Sequence, residues 1–118
     1  MGQQTKSVST VLPVASRAVG AGVSNPILIG AIDKDASQVF VEITDKGAAG
    51  TLDVKLQDAW IDDANKYSNT GDESLALAAA AITHVPPNAV RGKYMRIAYE
   101  VKVNAVVFGI HLVKAELH

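Results

Sequence analysis

Between Arg91 and Val113 the side chains alternate with a period of two, and that pattern restricts the stretch to extended structure. Met95, Ile97, Tyr99, Val101 and Val103 interleave with Arg96, Ala98, Glu100 and Lys102. In a strand the first set lies on one face and the second on the other, whereas a helix would scatter both around its circumference. The β-branched and aromatic content favours a strand as well. Val106–Val113 is apolar on both faces: Val106, Phe108, Ile110 and Leu112 on one, Val107, His111 and Val113 on the other. This predicts a strand covered by the core on one side and by a loop or subunit on the other. Asn104-Ala105 reads as the tight turn between the two strands, because asparagine tolerates positive φ.

The same period recurs upstream. Val39, Val41 and Ile43 face inward from Gln38–Thr44, and Leu52, Val54 and Leu56 from Thr51–Gln57. With the glycine-bearing link Asp45–Gly50 between them, these two strands read as a hairpin. Val8–Val14 carries spaced apolar residues, and Pro13 limits it to an edge strand or an extended arm. Residues 1–7 read as a loose polar arm. Ala15–Asn25 reads as a loop, and Pro26–Ile29 as the start of a short buried strand ending near Ile32, before the turn Asp33-Lys34-Asp35. Asp58–Glu73 is a long polar loop with room for one helical turn at Ile61–Tyr67. Ser74–Thr83 is rich in alanine, a helix former, yet it lies between turn signals and alternates at Leu75 and Leu77, so an extended segment is preferred. Val85-Pro86-Pro87-Asn88 interrupts regular structure. Seven or eight short antiparallel strands spaced by turns predict an all-β chain, a β-sandwich or jelly roll occupying 8–118 as a single domain.

Composition narrows the function classes. Eleven basic and twelve acidic residues leave a net charge of −1, so no long-range field favours nucleic acid or an anionic membrane. No run approaches the ~20 apolar residues of a membrane span, and the first residues lack a signal-type hydrophobic segment. Without cysteine there is no disulfide or thiolate metal site. The charged fraction of 19% is below the usual ~25%, as expected of a surface that meets other protein. Alanine and valine supply 33 of the apolar residues. Such small side chains bury little area each, at about 25 cal/mol per Å2, so subunit contacts are expected to add stability.

Chemistry is sparse. His84, His111 and His118 show no paired-ligand spacing, and a single histidine on an apolar strand is most often a hydrogen-bonded structural residue. Asp58, Asp62, Asp63, Asp72 and Glu73 could hold a hard cation, but their spacing does not fit an EF-hand loop and Lys66 lies among them, so a solvated loop is the plainer reading. Arg91, Lys93 and Arg96 beside Tyr94 form a basic cluster too small for a nucleic-acid footprint. No nucleophile motif or phosphate-binding glycine pattern is present. No catalytic, cofactor-binding or metal-binding residue is assigned, and the chain reads as a non-enzyme.

Three segments carry a resemblance: Thr51–Ala59 (TLDVKLQDA), Arg91–Val101 (RGKYMRIAYEV) and Val107–Leu117 (VFGIHLVKAEL). Their order, with the preceding PILIGAID, resembles the jelly-roll cement, or decoration, proteins of tailed-bacteriophage capsids. Asn104-Ala105 stands where that family often carries glycine, and the loop after the LQ strand differs in length and composition. The resemblance implies a structural virion protein, assembled in the host cytoplasm, that binds the outside of an icosahedral head and stabilises it. Its partners would be the major capsid protein and further copies of itself, a dimer favoured over a trimer, with no cofactor, nucleic acid or membrane.

Contacts are assigned to three regions. The N-terminal arm offers Gln3, Thr5, Val8, Val11 and Leu12. The long loop offers Trp60, Asp62, Asp63 and Tyr67, and the two-sided strand offers Val107 and His111. The competing readings are a phage tail or neck subunit, a carbohydrate-binding β-sandwich module with Trp60 and Tyr67 side by side, and a small hydrolase built on His84 or His111.

Overall fold

The computed structural model describes residues 4–29, 36–72 and 74–117, with side chains described between 5 and 115. Ten strands account for most of them: β1 (Gln4–Arg17), β2 (Gly20–Val23), β3 (Ile27–Leu28), β4 (Gln38–Asp45), β5 (Thr51–Ala59), β6 (Ser68–Asn69), β7 (Leu75–Leu77), β8 (Ile82–Val85), β9 (Tyr94–Lys102) and β10 (Val106–Leu117). None of the described residues is helical. One sheet runs β1-β10-β4-β8; the other runs β2-β9-β5-β6, with β3 also on β9 and β7 also on β5. All pairings are antiparallel.

β2 and β3 together make one interrupted edge, and so do β6 and β7. At the first interruption Ser24 continues the ladder: its backbone N–H donates to Ile97 O (2.8 Å) and its Oγ accepts from Ile97 N (2.9 Å). Counted this way there are eight strand positions, four per sheet, and their order is that of a jelly roll. The alternating residues meet between the sheets. Val39, Val41, Ile43, Leu52, Val54, Leu56, Met95, Ile97, Val101, Val106, Phe108, Ile110 and Leu112 are all buried in one cluster, with Leu12, Ile27, Ile29, Leu75, Leu77 and Tyr99 packed against it.

The two hairpins expected from the sequence are arches instead. β4 and β5 lie in different sheets, as do β9 and β10. Alternation fixes which face a side chain takes but not which strand lies beside it, and the links decide the rest. In the link 46–50, Gly47 adopts φ +64° and its N–H donates to Asp45 Oδ1 (2.9 Å), while Gly50 N donates to Lys46 O (3.0 Å). This loop carries the chain across to the facing sheet. Asn104 Oδ1 accepts from Ala49 N (3.0 Å), tying the two arches together. The positive φ expected at Asn104 belongs to Val103 (φ 74°).

A β-branched residue in the left-handed region is strained by about 1–2 kcal/mol. Val103→Asn should therefore stabilise the fold by about 1 kcal/mol, read as a higher denaturant midpoint at unchanged slope. A lower midpoint would contradict the strain.

Other segments also differ from expectation. β1 begins at Gln4, so Gln4–Ser7 pair with Lys114–Leu117 rather than forming a loose arm. The expected loop Ala15–Asn25 holds the end of β1 and all of β2. The short strand after Pro26 is half-buried at Ile27 and exposed at Leu28, and its continuation with the Asp33-Lys34-Asp35 turn lies outside the described residues. Ser74–Thr83 is extended at both ends, with Ala78–Ala81 forming a further crossing between the sheets.

β1 is an edge strand with register shifts between Thr10 and Leu12 and between Leu12 and Ala15. These bulges absorb Pro13, whose missing N–H would break a regular ladder. Opposite them Gly109 has no room for a side chain: a Cβ there would sit 2.6 Å from Val14 Cγ2 and 2.9 Å from Val14 N. Arg17 reaches the carbonyls around the bulges. Its Nη2 donates to Pro13 O (2.7 Å), and its Nη1 to Phe108 O (2.6 Å) and Ala15 O (3.2 Å). The guanidinium also lies 4.7 Å over the Phe108 ring.

Candidate functional site

Register places four of the six sheet-to-sheet crossings at one end of the sandwich. Arg17 lies beside Val106, Asp45 beside Val107, Lys102 beside Thr51, Leu77 beside Leu52 and Ile82 beside Glu42. The links 18–19, 46–50, 78–81 and 103–105 close this end. The other end carries the link 60–67, the crossing 86–93 and the N-terminus of β1, and β3 and β4 also lie in different sheets.

The 60–67 link is braced from within. Asp63 accepts from Asn65 N at Oδ1 (2.9 Å) and from Lys66 N at its carbonyl (2.9 Å). Tyr67 donates to Asp62 Oδ1 (3.2 Å), and the Arg96 guanidinium lies 4.2 Å over its ring. Arg96 Nε donates to Gln57 Oε1 (2.8 Å), and Gln57 Nε2 to Asn69 Oδ1 (3.0 Å). Trp60 remains 68% exposed at the tip, with Ile61 beside it and Lys66 Nζ 5.7 Å over its ring. Trp60 and Tyr67 thus share a loop but do not offer two bare rings, since Arg96 lies over Tyr67.

Desolvation comes first among the causes that raise the Tyr67 phenol above its usual 10.0, followed by the hydrogen bond to Asp62 and that carboxylate's charge; the Arg96 charge opposes them. The fold favours the neutral form. Its contribution is complete below pH 10 and is lost as pH rises through the raised value. In an ultraviolet titration, the difference between wild type and Tyr67→Phe should be a phenol ionising above 10.0; one ionising below it would contradict this contact.

The remaining acidic residues hold loops rather than converge. Asp58 Oδ2 accepts from Arg91 N and Gly92 N (2.8 Å each), and Asp72 Oδ1 accepts from Ala89 N (2.8 Å). Glu73 lies outside the described residues, and among those no three metal-ligating side chains come together. The basic cluster is likewise divided. Arg91 Nη1 donates to Asn88 O (2.5 Å) and Val90 O (3.0 Å), while Lys93 lies over Tyr94 at 5.8 Å.

On the outer face of the first sheet, Thr10, His111, Phe40 and His84 form one cross-strand row. The Thr10 hydroxyl is 3.2 Å from His111 Nδ1, and Glu42 Oε1 is 3.6 Å from Nε2. His84 Nδ1 is 3.3 Å from Gln38 Oε1, and its ring lies 5.3 Å from Phe40. The row lies on the sheet face. Two open depressions are found elsewhere: one over Ala21 and Ala98, rimmed by Asp53, Lys55, Gln57 and Glu100, and one beside Pro86 and Asn88. Neither contains a histidine or a serine. On the rim of the first, Asp53 and Glu100 are engaged by Lys102 (2.8 and 3.8 Å).

The expected contact residues separate. Thr5 is exposed and Val8 is 69% exposed on β1. Val11 is a core residue, because it alternates with the outward-facing Thr10, and it cannot serve as a contact. Leu12 packs on the core. Asp62 and Asp63 are exposed near Trp60, and Val107 and His111 are half-buried on the outer face of β10. Gln3 lies outside the described residues. Sequence reading missed the crossing end, where Val19, Ile82 and Val103 are 58%, 65% and 68% exposed. The signal was present as uncharged runs, GAAG and AAAA, but nothing in it says that they meet.

No family model matches the chain, and no curated protein matches it. Solved structures do. The SPBc2 prophage-derived protein YomS superposes with a TM-score of 0.52 at 12% identity, covering 97% of this chain and 96% of that one. PirA matches with a TM-score of 0.41 at 18% identity over 94% and 93%. The Anabaena sensory rhodopsin transducer matches with 0.42 at 12% identity over 80% and 90%. The likeness to YomS is one of fold: a prophage-derived protein shares this architecture.

Proposed function

We propose that this chain is a structural virion protein, a decoration protein that binds the outside of an icosahedral phage head as a homo-oligomer, favouring a dimer, and stabilises it. One observation carries the reading. Polar side chains brace the protein's own backbone, as Asp58, Asp72, Asn104 and Arg17 do, while large apolar ones stay exposed on or beside the links, as Trp60, Ile82 and Val103 do. Catalysis needs convergent, unengaged polar groups in a cleft. Assembly needs apolar surface on rigid supports. The fold shared with a prophage-derived protein supports the phage setting.

The physical effect is mass action. A ligand that binds only the assembled shell stabilises that shell, and linked copies convert weak single contacts into firm attachment. Heads of the phage that carries this chain, made without it, should co-sediment the purified protein in a saturable, stoichiometric way and rupture at a higher temperature once loaded. Protein left in the supernatant would overturn the reading.

A further inference from the structure

The end of the sandwich closed by the four crossings differs in kind from the opposite end. Its links 18–19, 46–50, 78–81 and 103–105 hold fourteen residues, of which Lys46 alone is charged. Only Lys46 and Gly50 among them are not exposed. At the other end, the links 60–67 and 86–93 carry Asp62, Asp63, Lys66, Arg91 and Lys93. The long axis of the molecule, 51 Å, runs along the strands, since a 14-residue strand reaches about 46 Å. The protein is therefore a rod with one sparsely charged, small-residue tip, where Lys46 lies in the links and Asp45 and Lys102 at the strand ends, and one more highly charged tip.

A second, independent observation points to the same tip. Val103 is held there at φ 74° with its side chain 68% exposed. Neighbouring Asn104 would take that conformation at lower cost, and asparagine or glycine is the usual occupant of such a position. Strain of this kind is characteristic of surfaces that act on something else.

We infer that the crossing end is the footprint through which the protein stands on its shell, and that the surface it meets is poor in charge, apolar and repeated many times. This rests on the decoration reading above. Charge argues for the first part, because a tip so poor in charge gains little from a charged partner and would desolvate most of its charges without return. Area argues for repetition. A cross-section of 29 × 21 Å, taken as an ellipse, gives about 500 Å2, below the ~800 Å2 per partner of a standard interface. Two copies joined tip to tip would bury too little to be stable. A lattice of equivalent sites, engaged by linked copies, makes so small a footprint sufficient.

The experiment is hydroxyl-radical footprinting of the wild-type protein, free and bound to undecorated heads, with co-sedimentation of three variants. Ile82 and Val103 should be protected on binding while Trp60 and Ile61 label as in the free protein. Ala48→Glu and Val103→Asp should weaken co-sedimentation at least tenfold, and Lys55→Glu on the sheet face should stay within twofold; circular dichroism establishes that each variant is folded. Val103→Asn, which relieves the strain, should raise the unfolding temperature while weakening attachment. Bound protein with Ile82 and Val103 still labelled, or Ala48→Glu binding as wild type, overturns the footprint and leaves the decoration reading standing. Wild-type protein that does not sediment overturns both.

Discussion

Phe108→Ala should cost the fold about 3–5 kcal/mol, the largest loss expected from any single truncation here. Phe108 is fully buried and is the largest of the fully buried side chains. It sits on β10, between β1 and β4, and its ring meets Tyr99 of the facing sheet edge-on at 5.2 Å. Most of its neighbours are valines, isoleucines and leucines anchored in strands, which cannot close around the space left. Domains of this kind have roughly 5–15 kcal/mol in total, so the variant should melt on the order of 15 °C lower. Thermal unfolding measures it, and a shift under a few degrees would mean that the two sheets are not packed around this ring.

Arg17→Ala should cost about 2–3 kcal/mol, a large effect for a residue that sits only half inside the protein. Its guanidinium donates to three carbonyls around the bulged part of β1 and covers the Phe108 ring. Removing it leaves the Phe108 carbonyl, the shortest of the three contacts, without its charged donor. Arg17→Lys should recover less than half of the loss, because one ammonium cannot reach the geometry of a planar fork. The double variant with Phe108→Ala should fall short of additivity by about 0.5–2 kcal/mol, the worth of the ring contact. Strict additivity would place the guanidinium away from the ring.

The limits of the sequence follow from the same contacts. Val39, Val41 and Ile43, then Leu52, Val54 and Leu56, then Met95, Ile97 and Val101 are buried as their alternation demands. Burial is a property of a residue and its own strand, so the pattern suffices. Strand partnership is a property of two distant segments, and so Asp45–Gly50 and Val103–Ala105 read as hairpin turns although they cross between sheets. Val11 fails because it lies three residues from Val8 and so takes the opposite face, while Leu12 joins it on the inner side because a bulge adds one residue and reverses every facing after it, and nothing in the spelling STVLPV locates that extra residue. Resemblance to jelly-roll decoration proteins pointed to the right topology.

The candidate site was less legible than the fold. Trp60, Asp62 and Asp63 do lie exposed on one loop, but a patch built from Val19, Ala48, Ile82 and Val103 exists only after four separate links are brought to one end. Alanine runs suggest helix when read one at a time. Together, on a closed sandwich, they make a surface.

Electron cryomicroscopy of heads incubated with the purified protein tests the central claim most directly. The account predicts regular added density at symmetry-related positions on the outer surface, each copy a rod about 51 Å long touching the shell through its narrow, sparsely charged tip. Bare shells at saturating protein, or copies attached through the Trp60 loop, would contradict it.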